Sequence, residues 1–116
     1  MKNIVEQLKL GTTITFTAHG NSMSPKIENK EEVTVSPTVD NLVVGDIVLC
    51  KVRGRYYLHL IKAVKIVKNK GKRFLIANNK GYDNGWIGIS TIYGIKIDAR
   101  HFIFPRELLI LECHLL

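Results

Sequence analysis

No apolar run in the 116-residue sequence approaches the length a membrane crossing needs, roughly 18 residues. The opening MKNIVEQLKLG sets Glu6 and Lys9 among its apolar positions, so it lacks the hydrophobic core of a signal peptide. Cysteine is scarce: Cys50 and Cys113 form neither a CxxC pair nor a disulfide framework, and free thiols in a reducing cytoplasm are expected. His19, His101 and His114 are scattered without metal-ligand spacing, so no zinc is predicted. No glycine-rich phosphate cradle or other cofactor signature occurs, and no cofactor is expected. Helix-turn-helix and zinc-finger patterns are also missing, which leaves no basis for sequence-specific DNA reading. Repeats and low-complexity segments are absent. At 46% hydrophobic and 23% charged residues the composition is that of a globular protein. Residues 1–116 are expected to form one soluble cytoplasmic domain, able to bury a core without metal or disulfide.

What is present in excess is positive charge, a net +7 with a pI near 9.6. Lys62, Lys65, Lys68, Lys70, Lys72 and Arg73 cluster around an expected turn. A solvated hairpin tip is the simplest reading, and weak, sequence-independent affinity for nucleic acid is within its reach.

Local patterns predict a mainly antiparallel β domain. Ile4, Val5 and Leu8 fall at helical spacing before Gly11. Residues 12–18 (TTITFTA) alternate and are β-branched, as a pleated surface favours. HGNSMSPKI is turn-like; Val33 and Val35 mark a second short strand, stopped by Pro37. IVLCKV and the long RYYLHLIKAVKIV flank Arg53-Gly54, which predicts a two-residue hairpin loop. That register pairs Val52 with Arg55, Cys50 with Tyr57 and Val48 with His59, placing Cys50, Tyr57 and His59 on one face. RFLIANN and IYGIKI supply further strands, with a loop around Trp86 between them, for about six strands and one or two short helices. The tail PRELLILECHLL reads equally as a helix from Pro105 or a closing strand.

The chemistry-bearing stretch is Gly20-Asn21-Ser22-Met23-Ser24-Pro25, directly after a strand. A nucleophilic serine needs a sharp turn that exposes its hydroxyl beside backbone N–H groups able to receive an oxyanion. This hexapeptide resembles the serine box shared by type I signal peptidases and the self-cleaving SOS and phage repressors, where a methionine follows the catalytic serine. Residues 33–35 and Val44-Gly45-Asp46-Ile47-Val48-Leu49 are similar to the next two family segments, and Tyr57-Leu58-His59-Leu60-Ile61-Lys62 resembles the strand carrying the general base. The resemblance runs from about Ala18 to Ile97. It implies a small antiparallel β-barrel-like peptidase domain with Ser22 as nucleophile.

At the base position bacterial signal peptidases and SOS repressors carry lysine, whereas His59 stands here, as in the histidine-type signal peptidases of the endoplasmic reticulum and archaea. Histidine titrates near neutrality and needs little tuning, unlike lysine. Lys62 is the alternative base, but strand alternation sets it on the face opposite His59. Residues 77–86 are similar to the family's last box; Asn79 matches an asparagine there, while Ile76 and Ala77 replace a Gly-Asp pair. Asp83 aligns with an aspartate of the histidine-type enzymes and is the expected orienter of His59, with Asp46 second and a plain turn role the competing reading for Asp83. A Cys50–His59 pair is the weaker option, since a strand cysteine is usually inert. Tyr56, Tyr57, Trp86 and Tyr93 read as core or barrel-rim residues rather than a base-stacking platform.

The expected activity is that of a serine endopeptidase with a Ser22/His59 dyad acting on a polypeptide added beside a strand edge. The altered last box and the positive charge motivate an alternative, an inactive module of the same fold that binds peptide, protein or nucleic acid. The chain shows neither a membrane anchor nor an Ala-Gly self-cleavage site. Secretory processing and self-cleavage are therefore not expected, and a stand-alone, phage-related member is.

Overall fold

The structure, a computed structural model, describes residues 1–98. The ambiguous tail, with Pro105, His101, His114 and Cys113, lies outside the described residues. Ile4, Val5 and Leu8 form the buried stripe of helix α1 (Lys2–Lys9). Seven strands follow: β1 (Ile14–Thr17), β2 (Glu32–Ser36), β3 (Ile47–Val52), β4 (Arg55–Val67), β5 (Gly71–Ala77), β6 (Asp83–Ile87) and β7 (Ile92–Ile97). One 3-10 turn, Ile89–Thr91, precedes β7. The strands make a single antiparallel sheet in the order β1-β2-β7-β3-β4-β5-β6.

The mainly β class is as expected, with one strand more than the sequence predicts. The missed strand is β6. Its sequence DNGWI opens on turn formers and holds a glycine at its centre, so only Trp86 and Ile87 carry β propensity. Its place comes from pairing with β5, Leu75↔Trp86 and Phe74↔Ile87, which local sequence does not encode.

The β3–β4 hairpin, by contrast, follows from two residues. Arg53 and Gly54 have φ of 51° and 80°, the pair of positive values of a type I′ turn whose twist matches the strands. The resulting register is Val52↔Arg55, Cys50↔Tyr57 and Val48↔His59. Alternation along β3 then divides the apolar residues between two cores. Leu49 joins α1, β1 and β2 on one face, while Val48, Cys50 and Val52 join β4, β5 and β6 on the other. The sheet curls until β6 meets the β3–β4 turn: a Cβ on Gly85 would stand 3.3 Å from Val52 Cγ1. The result is barrel-like without closure.

β7 lies between β2 and β3 beneath α1, and only glycine fits at its centre. A Cβ at Gly94 would come 2.5 Å from Val35 Cγ1 and 2.8 Å from the Ser36 carbonyl oxygen. Neither the fully buried Val35 nor the paired backbone of β2 has room to retreat. Gly94→Ala should therefore destabilise the domain by about 1–3 kcal/mol. A lowered urea midpoint at unchanged m-value would show it; an unchanged midpoint would mean that the β2–β7 contact yields freely.

Candidate active site

Ser22 sits in the turn between β1 and β2, exposed, while its neighbour Met23 is buried in the α1-side core together with Ile27. The two apolar anchors fix the turn and leave the serine outside. Asn79, in the β5–β6 connection, ties the turn down. Its N–H donates to the Ser22 carbonyl at 2.9 Å and its Nδ2 to the Ser24 carbonyl at 3.0 Å. Gly20 N–H donates to Asn29 Oδ1 at 2.9 Å on the other side.

His59 reaches this turn from β4. Ser22 Oγ and His59 Nε2 are 3.2 Å apart, within hydrogen-bond reach. On the far side of the ring, His59 Nδ1 lies 2.7 Å from Asn84 Oδ1. An amide oxygen only accepts, so Nδ1 carries the proton and Nε2 is left as the acceptor for the Ser22 hydroxyl. Tyr57, two residues earlier on the same strand face, covers the imidazole with ring centroids 4.7 Å apart. His59 is 7% exposed. Burial pushes its pKa below the ordinary 6.5, and the Asn84 hydrogen bond opposes that shift. The ring is therefore neutral at physiological pH, the form a general base requires.

The aspartate expected to orient His59 does not touch it. Asp83 Oδ1 pairs with Lys62 Nζ at 2.8 Å, and both side chains are about half exposed on the outer face. Asn84 takes the inner place because β6 carries a bulge. Ile76 pairs with Gly85 and Ala77 with Asp83, so Asn84 is the extra residue between two pairs. A bulge re-aims a side chain; here it turns Asn84 inward and leaves the Asp83 side chain outside. Sequence alternation carries no sign of it beyond the Asn-Gly step. Asp46, the second candidate, holds its own turn, accepting from Val43 N–H at 2.8 Å. Lys62 faces away from Ser22, as alternation required. Cys50 shares the His59 face, but burial raises its thiol to about 12, so it is no thiolate. Among the described residues no group of His, Cys, Asp and Glu could hold a metal ion.

Beside Ser22 opens a cleft of about 340 Å³, lined mainly by apolar side chains, Phe16, Ala18, Met23, Ile27, Tyr56 and Leu58 among them. One wall is bare strand edge. Ile61 N–H donates to the Asp46 carbonyl at 2.8 Å and its carbonyl accepts from Gly45 N–H at 2.9 Å, both on the β3 side. By alternation Tyr56 and Leu58 direct their main-chain groups to the opposite edge. There β5 begins pairing only at Leu60↔Ala77, so residues 55–59 meet no strand on that edge among the described residues.

A family model described as Peptidase S24-like matches residues 4–96. This agrees with the broad likeness to the signal-peptidase and repressor peptidases read from the serine box. No curated protein and no solved structure matches the chain significantly. Among the described residues no helix is long and apolar enough to cross a membrane.

Proposed function

The chain belongs to the Peptidase S24-like family, and on that premise we propose that it hydrolyses peptide bonds through Ser22 and His59, with Asn84 holding the base. The observation that carries this reading is the unbroken line Ser22 Oγ–His59 Nε2, His59 Nδ1–Asn84 Oδ1, at 3.2 and 2.7 Å. Ser22 Oγ attacks the scissile carbonyl as His59 Nε2 takes its proton; the imidazolium then returns that proton to the leaving amine. Water repeats the sequence on the acyl-enzyme and frees the serine. Ser22 N–H has no acceptor among the described residues and is available to the oxyanion.

The substrate in this reading is an extended polypeptide that adds to the free edge of β4, its main chain bonding to Tyr56 and Leu58. The apolar lining suits small or aliphatic side chains next to the scissile bond. The histidine base aligns this chain with the histidine-type signal peptidases in chemistry, without the lysine of the bacterial enzymes. Digestion of a diverse peptide library tests the proposal. Cleavages made by the wild type and missing with Ser22→Ala are expected; cleavages retained by Ser22→Ala would refute it.

A further inference from the structure

Charge in this chain is segregated. Residues 47–82 hold ten of its 17 Lys and Arg residues and no Asp or Glu, and they form β3, β4, β5 and the connecting turns. The fold collects several of these cations along two grooves that share no lining residue with the Ser22 cleft. One, about 300 Å³, is lined by Lys51, Arg53, Arg73 and Trp86 with the hydroxyls of Ser90 and Thr91. The other, about 470 Å³, is lined by Lys70, Lys72 and Arg73 with Asn41 and Ser90. Arg73, Gly88 and Ser90 belong to both, so the grooves run into each other. Gly88 matters at the junction: a Cβ there would come 3.2 Å from Arg73 Nη1, so the guanidinium lies against bare backbone.

None of Arg53, Lys70, Lys72 and Arg73 has a carboxylate partner among the described residues; Asp83 is already engaged by Lys62. On the same outer face, the register sets Lys65 across from Arg73 and Trp86 across from Leu75. Trp86 is 37% exposed, with Lys65 Nζ 4.1 Å from its ring centroid.

We propose that this double groove binds single-stranded nucleic acid, the phosphates following the line Arg53–Arg73–Lys72–Lys70 and a base resting on Trp86. A row of unpaired cations suits a repeating polyanion better than one carboxylate. The Ser90 hydroxyl and the Asn41 amide offer hydrogen bonds to phosphate and sugar oxygens, while the Thr91 hydroxyl already donates to the Gly88 carbonyl at 3.4 Å. The partly exposed indole at the groove rim, over which Lys65 Nζ lies, offers an unpaired base a stacking face once that flexible lysine turns to a phosphate, a contact that a duplex, an acidic peptide or a lipid headgroup would leave unused. The site is independent of the chemistry at Ser22.

Trp86 is the only tryptophan, so binding reports on itself. The full chain is titrated with an oligothymidylate of about twelve nucleotides, a length within the usual single-strand footprint, following indole emission and the anisotropy of a labelled strand. Saturable quenching is expected at low salt. Log affinity should fall against log salt with a slope of about −3, as for four or five neutralised phosphates on a single strand. Trp86→Ala should weaken binding by about ten- to a hundredfold, the loss of one base–aromatic stack. Lys72→Gln/Arg73→Gln, conservative in size, should weaken it and flatten the salt slope by about 1.4, two phosphates fewer. Absence of quenching at low salt, a duplex or polyglutamate or phosphatidylserine vesicles bound as tightly as the single strand, or indifference to the Arg73 and Lys72 substitutions would each overturn the proposal.

Discussion

His59→Gln should lower the rate of peptide cleavage by about 10²–10⁴-fold, the range for loss of a general base. Glutamine is close in length, so a folded protein is expected, and circular dichroism matching the wild type would establish it. What disappears is the acceptor for the Ser22 proton. An alcohol with no base beside it is a poor nucleophile at neutral pH. Ser22→Ala should remove cleavage to the same floor or below, and the double variant should be no worse than the more damaging single one, because the two groups act in one step. Full additivity of the two losses would show that they serve different steps. Lys62→Met, by comparison, should leave the rate within about twofold, since an exposed ion pair contributes little and Lys62 faces the other side of the sheet from Ser22. A collapse of activity in Lys62→Met would return the base assignment to lysine.

The second large effect concerns Asn84. Asn84→Ala removes the acceptor that His59 Nδ1 has among the described residues and leaves a buried donor unsatisfied, at a cost of about 1–3 kcal/mol. Expressed in the barrier, that is about 5- to 150-fold in rate. A merely structural asparagine would lower activity through stability alone, so the pH profile separates the two roles. The base works when neutral, hence kcat/KM should rise with pH through a midpoint below 6.5, the direction in which burial moves His59. Asn84→Ala deletes the hydrogen bond that raises this pKa and should shift the acid limb lower still. Asn84→Asp puts a carboxylate beside the imidazolium, favours the charged form and should move the limb upward. Midpoints that coincide in all three proteins would mean that Asn84 does not act through His59.

The legible parts of the site are those fixed by neighbours in sequence. Arg53-Gly54 determines a two-residue turn, and that turn alone sets Val48 opposite His59 and puts Tyr57 and His59 on one face. The serine box is equally local: Met23 fills the core, so Ser22 stays outside. The illegible parts depend on strands far apart in sequence. β7 enters between β2 and β3, and nothing in IYGIKI names those partners. In sequence β6 reads as a loop, because Asp83, Asn84 and Gly85 favour turns, and its pairing is settled by β5. Once β6 is a strand, a single bulge decides whether Asp83 or Asn84 looks inward, and simple alternation cannot foresee a skipped residue. Asn79 matches an asparagine of the last box, yet its double grip on Ser22 and Ser24 follows only from the approach of two loops 55 residues apart. The lysines around the β4–β5 turn read as a solvated tip; folding carries Arg73 from that cluster onto the groove beside Gly88, next to Trp86.

The most direct measurement is the site and rate of covalent capture by a fluorophosphonate, read by mass spectrometry of the intact chain and its fragments. One adduct per chain, on Ser22, forming quickly in the wild type and scarcely at all in His59→Gln, is the result expected of a hydroxyl activated by the buried imidazole. Unmodified Ser22 after prolonged exposure, or an adduct that forms as fast without His59, would mean that the 3.2 Å approach of these two side chains confers no nucleophilicity.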